Sequence, residues 1–171
     1  MNTQNKVDYK DEDTNNQKLK VVDLIKTKVI FLCTHNSARS QMAEAFLRKY
    51  GRDFFDAYSA GFHPKPIHPY TIKVMQEIGF DISKQQPKDL WELIRIKNEY
   101  FGIAITVCNR GKEEDCPIIP GPSTRLDWNI EDPSAFEGTE EQKLAKFREV
   151  RDQIQEHVKN FLKERKLPIA E

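Results

Sequence analysis

The amino-acid sequence predicts an α/β fold in which a parallel sheet is flanked by helices. Short apolar runs rich in β-branched and aromatic residues alternate along the chain with segments whose apolar residues recur at helical spacing, and this alternation is typical of a parallel sheet. The length of 171 residues suits one domain, because a single hydrophobic core serves chains of this size. The four predicted strands cover residues 29–32, 53–58, 101–107 and 124–128.

Helical patterns lie in the first two intervals between these strands and in the region after the last one. The second helix has proline at its first position and glycine after its end, which favours a helix start and a helix stop. The last helix carries apolar residues at three- and four-residue steps, so that one face packs on the sheet while charged side chains face water. The predicted helices cover 40–50, 69–78, 87–98 and 139–161.

The composition limits the domain boundaries and the partners of the chain. Residues 1–18 hold almost no apolar side chains, and 1–26 are predicted to be a disordered tail, followed by a domain over 27–165 and a C-terminal tail over 166–171. The 27 basic and 27 acidic residues cancel, so we expect no nucleic-acid or anionic-membrane partner. No apolar run approaches the roughly 20 residues of a membrane span. We therefore expect a cytoplasmic protein, whose three cysteines serve chemistry rather than structural disulfides.

The most informative stretch joins the first predicted strand to the first helix and runs from Cys33 to Ser40. A loop of small and polar residues ahead of a helix directs backbone N–H groups toward an anion, and Arg39 adds a planar fork of donors suited to a tetrahedral oxyanion. The same positive field favours the thiolate of Cys33, which is the nucleophilic form. The alternative is a buried cysteine at a strand end beside a surface arginine, which leaves the coincidence of these features unexplained.

The other two cysteines follow the third predicted strand. Cys108 closes that strand as Cys33 closes the first, and in a parallel sheet the ligand crevice lies beyond the strand carboxyl ends, where the strand order switches. If these two strands flank the switch, both cysteines share the crevice. The polar, glycine-containing segment from Cys108 to Cys116 is able to join its own ends. The alternative is a polar surface loop with two unconnected cysteines.

A candidate acid follows the fourth predicted strand. Asp132 precedes Pro133, and a carboxylate on a rigid turn beyond a strand end is placed to give a proton to a departing oxygen. Because an Asp-Pro pair alone is more often only a turn, this role depends on the cysteine loop.

The segment from Cys33 to Ser40, continued by Gln41-Met42-Ala43-Glu44, resembles the oxyanion loop of the low-molecular-weight phosphotyrosine phosphatase superfamily. The continuation Arg-Ser-Gln-Met-Ala-Glu resembles the corresponding motif of the thioredoxin-coupled arsenate reductases in that superfamily. The resemblance runs from about Lys28 to Leu162. It implies a single-domain three-layer sandwich with a four-stranded parallel sheet, arsenate as substrate, and thioredoxin or a similar dithiol reductant as partner. We expect the protein to be a monomer.

The resemblance also implies a role for each site residue. Cys33 would attack arsenic, Asp132 would protonate the leaving oxygen, and Cys108 and Cys116 would pass the oxidation on to the reductant through disulfides. Ser40 would support the Cys33 thiolate by a hydrogen bond. The residues implied to bind the oxyanion are Thr34, His35, Asn36, Ser37, Ala38 and Arg39.

No obligatory cofactor is implied, but some members of the superfamily hold a potassium ion. The positions that match its ligands are Asn36, Glu44, Ser59 and Asp89.

Two other functions remain open at this point. A low-molecular-weight phosphatase acting on phosphotyrosine or a small phosphate ester would use Cys33, Arg39 and Asp132 and would have no need of Cys108 and Cys116. In the phosphatase branch aromatic residues usually follow the acid, whereas Ser134-Ala135 occurs here, which favours the reductase branch. A non-catalytic thiol module that binds arsenite or a soft metal through the three cysteines would leave Arg39 and Asp132 unexplained.

Overall fold

The computed structural model describes residues 25–109 and 119–171 and confirms the predicted α/β class. Residues 1–24 of the predicted N-terminal tail lie outside the described residues, and so does Cys116. The strands are β1 (Thr27–Cys33), β2 (Phe55–Gly61), β3 (Ile103–Thr106) and β4 (Thr124–Asp127). The helices are α1 (Arg39–Tyr50), α2 (Pro69–Gln76) and α3 (Glu140–Glu164), with a π-helical turn (Glu92–Ile96) before β3 and a 3-10 turn (Pro133–Ala135) after β4.

The four strands form one parallel sheet in the order β2-β1-β3-β4. From β1 the chain moves first to β2 on one side and later to β3 on the other, so the strand order switches between β1 and β3. Leu32 pairs with Thr106 across this switch, and Cys33 pairs with Gly61 on the other side of β1. The condition for a crevice shared by Cys33 and Cys108 is therefore met, because their two strands are neighbours at the switch point.

The sheet separates two hydrophobic cores, which gives the predicted three layers. On one face the side chains of Val29 and Phe31 pack with α1, α2 and α3. On the other face Ile30 and Leu32 pack with the segment around the π-helical turn. The alternation along β1 explains why its apolar run is continuous, since both of its faces are buried.

Three local features differ from the sequence expectations. The helix predicted over 87–98 is reduced to the turn at 92–96, because Asp89 pairs with Gly61 at the sheet before the turn and Asn98 adopts a left-handed φ of 51° after it. The second strand runs over 55–61 instead of 53–58, because its final residues pair with the end of β1. The sequence predicts a C-terminal tail over 166–171, whereas Leu167 and Ile169 pack against the larger core.

Within 25–109 and 119–171, no helix has the length and apolar content that crossing a membrane requires.

Candidate active site

Cys33 lies at the carboxyl end of β1 and its sulfur receives hydrogen bonds from the loop that follows. The side chain is buried, and the backbone N–H of Asn36 donates to Sγ at 3.1 Å. Ser40 Oγ lies 2.9 Å from the same sulfur and accepts a hydrogen bond from Asn36 Nδ2 at 2.8 Å. Because that contact uses Ser40 Oγ as an acceptor, its own hydrogen is available for Cys33 Sγ. Two donors directed at one sulfur suit a thiolate.

The carbonyl groups of the loop are held on its outer side. The N–H groups of His63, Lys65 and His68 donate to the carbonyl oxygens of Thr34, His35 and Ser37 at 2.9, 3.0 and 3.0 Å. In a trans peptide the carbonyl and the N–H of the next residue point in opposite directions. The N–H groups that follow these carbonyls, including that of Asn36, therefore point into the loop, which forms an anion-binding concavity.

Gly61 allows β2 to run directly beneath this loop. A Cβ atom at residue 61 would lie 2.7 Å from the carbonyl oxygen of Thr34 and 2.9 Å from the backbone nitrogen of Asn36. Both neighbours are backbone atoms of the loop and neither has room to move aside. Asn36 itself adopts a φ of 49°, a left-handed conformation that asparagine tolerates better than most residues.

Arg39 is buried at the first position of α1 and connects the loop to the region after β4. Its Nη1 donates to the carbonyl oxygen of Ile130 at 2.9 Å, and its Nη2 lies 3.2 Å from Asp132 Oδ2. Asp132 is also held by Ser134, whose backbone N–H and hydroxyl donate to Oδ1 at 2.9 and 2.7 Å. The proposed acid thus lies beside the guanidinium, with its carboxyl orientation fixed from both sides.

Cys108 is buried next to the strand that carries Cys33. The backbone N–H of Val107 donates to the carbonyl oxygen of Leu32 at 2.9 Å, and Cys108 Sγ contacts the same oxygen at 3.8 Å. Leu32 is the residue before Cys33, so the structure brings these two cysteines to adjacent strand ends. The prediction for Cys116 lies outside the described residues.

Two histidines border the loop and both favour the neutral form. Burial, followed by the positive charge of Lys65, lowers the pKa of His35 below its ordinary value. Burial likewise lowers the pKa of His68, whose Nδ1 accepts a hydrogen bond from the backbone N–H of Tyr70 at 3.1 Å as the cap of α2. Imidazolium has no lone pair for this contact, so the cap requires the neutral ring.

The residues matched to potassium ligands are already engaged with protein partners. Asn36 Nδ2 donates to Ser59 Oγ at 2.8 Å, and the Ser59 hydroxyl donates to the Glu44 carboxylate. Asp89 Oδ1 instead accepts the backbone N–H groups of two residues at the π-helical turn, at 2.8 and 3.0 Å. A hard cation needs oxygen acceptors directed toward it. Asn36 presents its amide nitrogen here, and Ser59 Oγ already accepts a hydrogen bond from that nitrogen, so with these contacts the residues do not fit a potassium ion.

Lys88 contacts two of these residues, although no sequence pattern marks it as a site residue. Its backbone N–H donates to Asn36 Oδ1 at 2.7 Å, and its Nζ lies 3.1 Å from Glu44 Oε2. These residues are more than forty positions apart, and no local pattern links them.

The fold and the loop geometry define the class of protein. The family model for low molecular weight phosphotyrosine protein phosphatase matches residues 28–167. The chain therefore belongs to the low-molecular-weight phosphotyrosine phosphatase family.

Relatives of the chain include arsenate reductases. It is 40% identical to an arsenate reductase of Halalkalibacterium halodurans over 136 residues, which cover 80% of this chain and 95% of that protein. A solved arsenate reductase in the phosphate binding state is similar with a TM-score of 0.63 and 31% identity, covering 81% of this chain and 98% of that one. A thioredoxin-dependent arsenate reductase of Corynebacterium glutamicum gives a TM-score of 0.60 and 29% identity, covering 85% of this chain and 65% of that one.

Proposed function

We propose that this protein reduces arsenate to arsenite with electrons from thioredoxin or a similar dithiol carrier, in the reducing environment of the cytoplasm. The observation that carries the proposal is the position of Cys108, whose sulfur lies 3.8 Å from the carbonyl oxygen of the residue before Cys33. A phosphatase of this family needs one nucleophilic thiol at the loop, whereas a reductase needs a second thiol to remove the oxidised first one.

The first step forms a bond between sulfur and arsenic. Arsenate binds to the inward N–H groups of the loop and to the Arg39 guanidinium, and the Cys33 thiolate attacks arsenic. Asp132 gives its proton to the departing oxygen, which leaves as water. The contacts from Ser134 and Arg39 support this role by position, because they hold the Asp132 carboxyl group beside the guanidinium that binds the oxyanion.

The second step transfers two electrons to arsenic. The Cys108 thiolate attacks Cys33 Sγ, the electron pair of the sulfur–arsenic bond goes to arsenic, and arsenite leaves behind a Cys33–Cys108 disulfide. Cys116 thiolate then attacks Cys108 and releases Cys33 as thiolate, which leaves a Cys108–Cys116 disulfide for the dithiol carrier to reduce. All the groups in this scheme come from one chain, consistent with a monomer.

The runner-up is hydrolysis of phosphotyrosine or a small phosphate ester. Cys33, Arg39 and Asp132 alone would carry it, and their contacts would serve a phosphoryl group as well as arsenate. The two activities separate at Cys108, which only the reductase requires.

The test compares both activities in the same variants. Arsenite production is measured with thioredoxin, thioredoxin reductase and NADPH, beside hydrolysis of para-nitrophenyl phosphate. We expect Cys33→Ser to abolish both activities, and Cys108→Ser to abolish arsenite production while retaining ester hydrolysis. Arsenate turnover at the wild-type rate in Cys108→Ser or Cys116→Ser would overturn the relay.

Thiol counting supplies an independent check without a reductant. We expect one equivalent of arsenate to convert three free thiols into one, with one equivalent of arsenite released. Retention of arsenite or a soft metal in stoichiometric amount, with no turnover, would instead support a thiol-binding module.

A further inference from the structure

Glu44 is a charged residue in the interior of the protein, one helical turn after the loop. Its side chain is 3% exposed, and a buried carboxylate is costly unless opposite charge and hydrogen bonds surround it. Two cations reach it. Arg48 contacts one carboxylate oxygen and Lys88 Nζ lies 3.1 Å from the other, which also accepts the Ser59 hydroxyl.

The two cations are not equivalent in their surroundings. The Arg48 side chain is 57% exposed, whereas that of Lys88 is 24% exposed. Lys88 Nζ also donates to the carbonyl oxygen of Gln86 at 3.0 Å. The ammonium is thus held between oxygen acceptors, and solvent screens its attraction to Glu44 less than it screens that of Arg48.

The orientation of the Asn36 amide follows from its neighbours. Asn36 Oδ1 accepts from the backbone N–H of Lys88 at 2.7 Å and from Gln41 Nε2 at 3.0 Å. The amide nitrogen must therefore face Ser40 and Ser59. A metal cation here would meet an N–H group and would be repelled by the Lys88 ammonium.

We propose that the Lys88 ammonium is the resident cation of this site, in the place where related proteins hold potassium, so that the protein orders its cysteine loop without a metal ion. An ammonium carries the same charge as potassium and brings three N–H donors that suit a carboxylate and a carbonyl oxygen. A residue of the chain cannot dissociate, and we expect the protein to be insensitive to the identity of the monovalent salt.

The site is connected to Cys33 by a continuous series of hydrogen bonds. The Ser59 hydroxyl donates to Glu44, Asn36 Nδ2 donates to Ser59 Oγ and to Ser40 Oγ, and Ser40 lies 2.9 Å from Cys33 Sγ. Lys88 acts at two points of this series, through its ammonium at Glu44 and its backbone N–H at Asn36. It is a positioning residue, because it acts on Cys33 only through these neighbours.

The test removes the ammonium and keeps the backbone. Lys88→Met retains the N–H to Asn36 and the apolar stem, and Lys84→Met is the matched control, since Lys84 is exposed in the same segment. Melting temperatures are measured in potassium, sodium and choline chloride at equal ionic strength. We expect the wild type to melt at the same temperature in all three salts, and Lys88→Met to melt roughly 4–8 °C lower in choline chloride than Lys84→Met.

Potassium should then restore part of the thermal stability that Lys88→Met loses. With the ammonium gone, potassium can contact the two acceptors that it leaves, the Glu44 carboxylate and the carbonyl oxygen of Gln86. We therefore expect potassium chloride to raise the melting temperature of Lys88→Met above its value in choline chloride, in a saturable manner. The rate at which iodoacetamide alkylates Cys33 at neutral pH should fall about threefold in Lys88→Met and recover with potassium. A purely structural surface lysine would not change this rate.

Two results would overturn the proposal. One is a potassium-specific, saturable rise in the melting temperature of the wild type, which needs no variant to fold. The other is a Lys88→Met protein as stable as Lys84→Met in every salt. Should Lys88→Met fail to fold, the double variant Glu44→Gln with Lys88→Met decides, because a neutral amide needs no counter-charge and should recover stability. None of these measurements uses turnover, so the proposal stands apart from the choice between arsenate and phosphate esters.

Discussion

Arg39 Nη2 lies 3.2 Å from Asp132 Oδ2, an ion pair that joins the first turn of α1 to the segment after β4. The second nitrogen of the same guanidinium donates to the carbonyl oxygen of Ile130. One buried side chain therefore fixes both the loop that binds the oxyanion and the segment that carries the acid. The planar fork of arginine makes this possible, since its nitrogens point in set directions.

Replacing Arg39 with lysine should remove activity although the charge is kept. A single ammonium cannot contact Ile130, Asp132 and an oxyanion in the geometry of a fork. We expect kcat/KM for arsenate and for para-nitrophenyl phosphate to fall by about 10²–10³ in Arg39→Lys. Arg125→Lys, at an exposed position of β4, serves as the control. Comparable kinetics in the two variants would contradict the assignment.

Ser134 should act on the chemical step through Asp132. Its hydroxyl donates to Asp132 Oδ1 at 2.7 Å, and its backbone N–H would still donate in Ser134→Ala. We expect kcat for ester hydrolysis to fall about three- to tenfold with KM almost unchanged, because the acid is less well positioned while oxyanion binding is intact. Ser134→Thr keeps a hydroxyl and should keep most of the rate. Threonine and alanine variants of equal rate would show that the hydroxyl has no such role.

Gly61→Ala should disturb the loop that begins at Cys33. The added Cβ would meet two backbone atoms of the loop within 3 Å, and we expect the free energy of unfolding to fall by about 1–3 kcal/mol, with a loss of activity. At Gly102 the nearest atom is the Cγ2 of Thr27, a side-chain methyl at 3.0 Å. Chemical denaturation of Gly61→Ala and Gly102→Ala makes the comparison. An equal loss of stability in the two variants would contradict the close approach of β2 to the loop.

The sequence predicts best those features that neighbouring residues encode. β1 is apolar on both faces, and the polar loop and amphipathic α1 follow it without interruption, so the predicted and observed boundaries of α1 differ by one residue. The positions of Cys33 and Arg39 at opposite ends of this loop follow from the same pattern. The sequence does not predict that β1 and β3 are neighbours, and a crevice shared by the two cysteines follows from it only on that condition. Strand order depends on packing between distant segments.

The features that sequence analysis did not find depend on contacts between distant parts of the chain. The segment 87–98 contains helix-forming residues, but its core contacts are made by Leu90, Leu93 and Ile94 while residues 95–98 are exposed, and tertiary packing decides helix length. Lys88 reaches Glu44 from a segment that carries no recognisable motif. The C-terminal segment is predicted to be a tail, yet the backbone N–H of Ala170 donates to the carbonyl oxygen of Tyr50 at 2.9 Å and holds the segment on α1.

Acidification should destabilise the protein through three half-buried histidines. Burial lowers the pKa of His68 in the folded protein. As the pH decreases through the unfolded value of about 6.5, the unfolded chain therefore binds more protons than the folded one, and the free energy of unfolding decreases. The depressed pKa values of His35 and His157, for which burial is the largest cause, act in the same direction. Glu77, whose pKa is lowered chiefly by Arg148, contributes only at more acidic pH, below the ordinary carboxyl value.

The variant His68→Asn isolates one part of this effect. Asparagine can still cap α2 by accepting a hydrogen bond from the N–H of Tyr70. The variant loses the stacking of the His68 ring on Phe147, whose ring centroids lie 4.6 Å apart in the wild type. We therefore expect lower stability at neutral pH but a shallower loss between about pH 7.5 and 5.5, as measured by urea denaturation at each pH. The remaining slope belongs to His35 and His157. Parallel pH profiles for the variant and the wild type would mean that His68 titrates alike in the folded and unfolded chain, and that its cap does not depend on the neutral ring.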